Sequence, residues 1–77
     1  MRTYVEGMNI TPGEHVSVVN ARGERSIRVA LTGVTAGRDF DVVWICNIDE
    51  YESAAREGRE PEGVPWPAED VQAAAMA

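Results

Sequence analysis

From Glu14 to Cys46 the apolar residues of this chain fall largely on alternate positions, and the alternation breaks where turn-forming residues gather. A period of two is the spacing of a strand, whose successive side chains leave opposite faces, and it does not fit the 3.6-residue period of a helix. Val16 and Val18 share one face of a first strand over Glu14 to Val19, entered through the turn Thr11-Pro12-Gly13. Asn20-Ala21-Arg22-Gly23 predicts a tight hairpin, with Asn20 opening the turn and Gly23 able to take a positive φ. In the partner strand, Ser26 to Val34, the residues Ile27, Val29 and Leu31 point one way and Arg28, Ala30 and Thr32 the other, the pattern of a sheet with one wet face. Gly33 marks a bulge or strong bend. After a turn at Thr35 to Asp39, Phe40 to Cys46 places Phe40, Val42, Trp44 and Cys46 on one face and Val43 and Ile45 on the other, so apolar groups lie on both sides as in a central strand. Upstream, Thr3 to Glu6 and Met8 to Ile10 predict a weaker edge strand.

The period changes at Asn47. Asn47 is a good N-cap, Glu50 stands three residues on as in a capping box, and Cys46 and Tyr51 occupy the positions of a hydrophobic staple. Gly58 suits the residue just past the C-terminal end, so a helix is predicted over Ile48 to Glu57. Its apolar face is Ile48, Tyr51 and Ala55, and so short a helix must dock its Tyr51 face on the sheet to persist. Arg59 to Pro67 is not regular helix, because Pro61, Pro65 and Pro67 remove donors and fix φ. Ala68 to Val71 predicts either a short helix begun by Pro67 or a single 3₁₀ turn that returns Val71 to the sheet. Gln72 to Ala77 has nothing to tie it down and is expected to fray.

Short strands linked by turns, then Trp66-Pro67-Ala68-Glu69-Asp70-Val71, resemble the closing portion of SH3-like small barrels, apart from the helix at 48–57, which the minimal barrel lacks. The expected fold is therefore mainly β (α+β): a small bent antiparallel sheet or SH3-like partly open barrel, one short helix at 48–57 and a proline-anchored C-terminal tail. One domain over residues 1–72 is expected, with 73–77 as tail. Separately, Val43-Trp44-Ile45-Cys46, the acidic helix and the run from Gly58 to Val71 are similar to small uncharacterised proteins of GC-rich actinobacteria and their phages, a resemblance that implies no activity.

Composition narrows the function classes. A chain of 77 residues buries only about 60% of the surface its unfolded form exposes, so its stability is expected to be marginal. Cys46 is the only cysteine and His15 the only histidine, which removes an internal disulfide and leaves a poor zinc ligand set; self-association, as a homo-oligomer, remains as a route to stability. No run approaches the length of a membrane span and the N-terminus has no signal-peptide core, so a soluble cytoplasmic protein with no membrane partner is expected. All seven basic residues are arginine, a bias that reads as GC-rich coding. Residues 1–48 balance five acids against five arginines, while 49–77 hold eight acids and two arginines and so carry the net charge of −6. An acidic balance opposes unspecific phosphate binding.

No constellation of base, nucleophile and orienting group is visible, so neither catalysis nor a cofactor is expected. His15 reads as a surface histidine on a strand, and Cys46 as a buried inert thiol at the end of an apolar strand. The acids do not follow a calcium-loop spacing and read as a solvated face, so no metal site is assigned. Trp66, held between Pro65 and Pro67, is either an interface anchor or a plug that staples the tail to Trp44 and Tyr51. With Glu52, Glu62, Glu69 and Asp70 it makes the candidate partner-binding set of a non-catalytic protein-interaction or accessory module, possible as a phage-encoded one. The alternatives are a nucleic-acid-associated barrel, with Arg22, Arg25, Arg28 and Arg38 forming a basic end, and a virion structural component.

Overall fold

The computed structural model describes residues 10–74; the edge strand expected over Thr3 to Ile10 lies outside them except for Ile10, which is buried. Five strands are present among the described residues: β1 (His15–Val19), β2 (Arg25–Ala30), β3 (Val42–Cys46), β4 (Val64–Pro67) and β5 (Val71–Ala73). One helix, α1 (Ile48–Glu57), precedes β4, and a 3₁₀ turn (Ala68–Asp70) joins β4 to β5. Every pairing is antiparallel, in the order β4-β3-β2-β1-β5. The two edge strands are thus consecutive in sequence. The four peptide links from Pro67 to Val71 reach at most about 14 Å, whereas the edges of a flat five-stranded sheet stand about 19 Å apart. The sheet must therefore curl until its edges approach, although no ladder joins β4 to β5 and it stays open.

Register assigns the faces. Val16 lies opposite Arg28, Val18 opposite Ser26 and Val71, Ala30 opposite Ile45, and Val43 opposite Trp66. Directly opposed residues share a face, and this concave face holds the main cluster of Ile10, Val16, Val18, Ala30, Val43, Ile45, Ala68 and Val71, with Val34 and Trp66 packed against it. The inward residues of β2 are consequently Ser26, Arg28 and Ala30, not the Ile27 set that alternation favours. Both faces of β2 find cover: Val29 and its partner Cys46 are buried on the convex side, outside the main cluster, where α1 contacts β2 and Ala54 is its buried residue. Ile27, beyond the helix, is left 45% exposed.

β2 ends at Ala30, and residues 31–34 form the bend anticipated at Gly33 before an isolated bridge pairs Thr35 with Val42. β3 has two neighbours and buries Val42, Val43, Ile45 and Cys46 from both faces, as its apolar run predicts, but the middle strand of the sheet is β2. Phe40 precedes the strand and is exposed.

The turns follow their residue chemistry. Gly23 has φ 84° and donates its N–H to the Asn20 carbonyl at 2.9 Å, while Asn20 Oδ1 accepts the N–H groups of Arg22 and Glu24 at 2.8 and 3.0 Å. Helix α1 has the expected bounds, and Gly58, at φ 71°, closes it: the Gly58 N–H reaches the Ala55 carbonyl and the Arg59 N–H reaches that of Ala54 at 3.0 Å, a Schellman motif. Its start differs from expectation. Asn47 has the extended backbone of an N-cap and its carbonyl accepts the Tyr51 N–H at 3.0 Å, but its side chain makes no capping bond. The capping box is replaced because the Glu50 carboxylate is drawn to Arg59 and the Glu62 N–H. The docked face runs through Ala54 rather than Ala55, which is exposed.

After Pro67 the chain takes the 3₁₀ alternative. The Ala68 N–H donates to the Asp41 carbonyl at 2.9 Å, and Val71 returns to the core beside Val18. Gln72 and Ala73 do not fray: they pair with β1, and the Ala74 N–H reaches the His15 carbonyl at 3.1 Å.

Candidate functional site

Trp66 belongs to the interior. It sits opposite the fully buried Val43, is itself half-buried, and donates its Nε1–H to the Val19 carbonyl at 3.0 Å, so its ring crosses the concave side from β4 to β1. Of the two readings of Trp66 this is the plug, but the partners differ from those expected. Trp44 and Tyr51 lie with the convex face, because Trp44 is one residue out of phase with Val43 and its cross-strand partner is Pro65. Trp66 and Tyr51 therefore do not roof one apolar side together.

The convex face carries two recesses that meet at Trp44. A cleft of about 700 Å³ opens between the end of β2, the 58–63 segment and α1, with Trp44, Tyr51, Leu31, Pro61, Pro12 and Glu60 in its walls. A second hollow of about 300 Å³ is walled by Phe40, Val42, Trp44, Pro65 and Pro67. Trp44 is common to both. Side chains here are large, apolar and open to solvent: Phe40 is 58% and Trp44 40% exposed. Prolines hold much of the remaining surface at little entropic cost.

Each wall has a local cause. Trp44 projects outward from a strand whose odd and even neighbours are buried, and its backbone is held by its own N–H to Thr32 Oγ1 at 3.2 Å and by the Leu31 N–H to its carbonyl at 2.7 Å. The 58–63 segment is fastened to α1 by Glu50, whose carboxylate accepts from the Arg59 guanidinium at 2.7 and 3.3 Å and from the Glu62 N–H at 2.9 Å. Arg59 also pairs with Glu57 at 2.7 Å. The Arg59 hydrogen bond, followed by the Glu62 N–H, holds the Glu50 carboxyl below its usual value. Glu60, on the lip of the larger cleft, takes part in no ion pair or hydrogen bond among the described residues.

The predicted acidic set is dispersed. Glu62 lines a recess with Trp66 and Glu50 at one end of β4, while Glu69 and Asp70 lie at the other end, where Glu69 borders a hollow with Phe40 and Asp41; Glu52 is exposed on α1. The arginines do not form a basic end either. Arg22 and Arg25 lie at the β1–β2 turn, Arg22 within 3.9 Å of Glu24 and Arg25 bonded to Ser17 Oγ, and Arg38 is on the loop that continues the opposite end of β2. Arg28 faces the concave side and donates to the Ile27 carbonyl. Alternate hairpin turns fall at opposite ends of an antiparallel meander, so the arginines are divided between the two ends.

His15 is exposed on β1. Cys46 is buried, and burial together with the nearby Glu50 charge pushes its thiol up, away from the reactive thiolate. No group of metal-ligating side chains occurs among the described residues. No described helix is long and apolar enough to cross a membrane. No protein-family model, curated protein or solved structure shows a significant match to the chain.

Proposed function

We propose that this chain is a non-catalytic protein-interaction module that binds through its convex face around Trp44. The observation that carries this reading is the pair of apolar recesses sharing one exposed tryptophan, rimmed by Tyr51, Phe40 and prolines. Contiguous exposed apolar surface on a small domain marks a contact site, and tryptophan and tyrosine in desolvated pockets supply most of the energy of such contacts. The interior serves the fold, since Trp66 and the valine cluster fill it. A strand order with a 3₁₀ turn between the last two strands supports the SH3-like reading of the architecture.

The reading shifts the contact from Trp66 and the dispersed acids to Trp44. Selecting binders from a displayed library of random linear peptides tests it. Peptides recovered on the wild type are expected to lose most of their binding to Trp44→Ser, while the unfolding midpoint of that variant stays close to the wild type's. Binding that is indifferent to Trp44→Ser, or recovery of no binder, would refute it. Salt-dependent retention on nucleic acid in place of peptide binding would favour a phosphate-binding surface instead.

A further inference from the structure

Resting on that reading of the convex face, we propose that its occupant is an extended peptide segment with a basic side chain in the larger cleft and an apolar side chain in the smaller hollow, the two straddling Trp44. Among the described residues the larger cleft brings together two aromatic rings, Trp44 and Tyr51, two prolines and a single charged residue, Glu60. No basic side chain among the described residues lines it. An arginine or lysine entering there meets aromatic faces, which attract cations, and a carboxylate that makes no ion pair among the described residues. An acidic side chain would meet Glu60 uncompensated. The net charge of −6 adds a long-range preference for the same sign of partner.

The smaller hollow has a different chemistry. Phe40, Val42, Pro65 and Pro67 make it apolar, and its charged neighbours Arg38 and Asp39 are of opposite sign, so it favours an uncharged aliphatic or aromatic group. One indole separates the two recesses. Side chains two residues apart on an extended chain leave the same face about 7 Å from each other, close to the long dimension of an indole ring, so a strand-like segment places both groups without folding. The adjoining edge strand, β4, offers no docking ladder of its own: Pro65 and Pro67 lack N–H groups, so recognition falls on side-chain pockets rather than on strand addition.

The test uses the peptides recovered from the random library, fluorescently labelled, with binding followed by anisotropy for the wild type, Trp44→Ser, Glu60→Gln and Glu60→Arg. Glu60 is exposed on an irregular segment, so its replacement leaves the fold in place. Expected are sequences that combine Arg or Lys with an apolar residue two positions away, a roughly threefold weakening by Glu60→Gln, and a larger loss when the peptide's own basic residue becomes Gln, which removes the aromatic contact as well. Glu60→Arg is expected to reverse the charge preference of the selected peptides. Peptides that require Trp44 but carry no basic residue and ignore Glu60→Gln would overturn the proposal and leave the interaction module standing. Absence of any Trp44-dependent peptide would overturn both. A Trp44-dependent self-association seen in sedimentation, with no peptide competing for it, would assign the face to a second copy and overturn the basic-peptide assignment.

Discussion

Trp66 shows how one side chain links elements far apart in sequence. Its strand position turns the ring inward, and the indole N–H finds the Val19 carbonyl, a group that the end of β1 leaves without a ladder partner on that side. A half-buried indole with its donor satisfied is a structural residue, and truncating it has two separable costs. Trp66→Phe keeps most of the apolar volume and removes only the donor, so it should lower stability by about 1 kcal/mol. Urea unfolding followed by circular dichroism measures this; an unchanged midpoint would mean the Val19 carbonyl is satisfied by water. Trp44 carries the same indole with the opposite orientation. One residue of phase relative to Val43 separates a plug from a contact surface.

At the scale of elements, α1 and the 58–63 segment behave as one wall because Glu50 holds them together. The carboxylate that would have closed the capping box instead accepts from Arg59 and from the Glu62 N–H. Those bonds favour its charged form and hold its pKa below the ordinary 4.5. A carboxyl whose folded-state value is lowered contributes stability that is fully present above its unfolded value and is lost as pH falls through the folded one. The difference in unfolding midpoint between the wild type and Glu50→Gln should therefore be largest near neutrality and shrink as pH drops below 4.5. Paired denaturation curves at neutral and acid pH check this, and a gap that stays constant would show that Glu50 acts by packing alone. Loosening this wall also moves Glu60 and Pro61, and with them the larger cleft.

For the whole molecule, the governing fact is a curled five-stranded sheet whose edges are consecutive strands joined by one 3₁₀ turn. Among the described residues such a sheet has two open edges, and open edges invite pairing between copies. β4 is protected by parity. The Ala68 N–H points to the Asp41 carbonyl of the β3 side, so along β4 the even residues share that direction and the nitrogens of Pro65 and Pro67 lie on the outer side, where no donor is needed. Replacing both prolines by threonine restores two donors to the outer edge and should raise concentration-dependent self-association above that of the wild type. Sedimentation velocity over a dilution series measures it; indifference to the substitution would locate any self-association elsewhere.

Local chemistry carried its own weight in this chain. Gly58 with its Schellman bonds and Asn20 with Gly23 each act within a few residues, so the bounds of α1 and the first hairpin were legible from sequence, as was the mainly antiparallel sheet with one helix, while the residues after Pro67 fitted a short helix as well as the 3₁₀ turn they form. The inward face of β2, the diversion of Glu50 from its cap, the partners that Trp66 plugs against, the exposure of Trp44 and the scattering of the acids were not. All depend on register between strands distant in sequence, such as Trp66 opposite Val43, and on which face α1 covers. Alternation names the two faces of a strand, but when a helix covers one and the sheet curls over the other, both are apolar and the pattern no longer distinguishes them. Residue order determined where the chain turns, while curvature and pairing decided which tryptophan is core and which is surface.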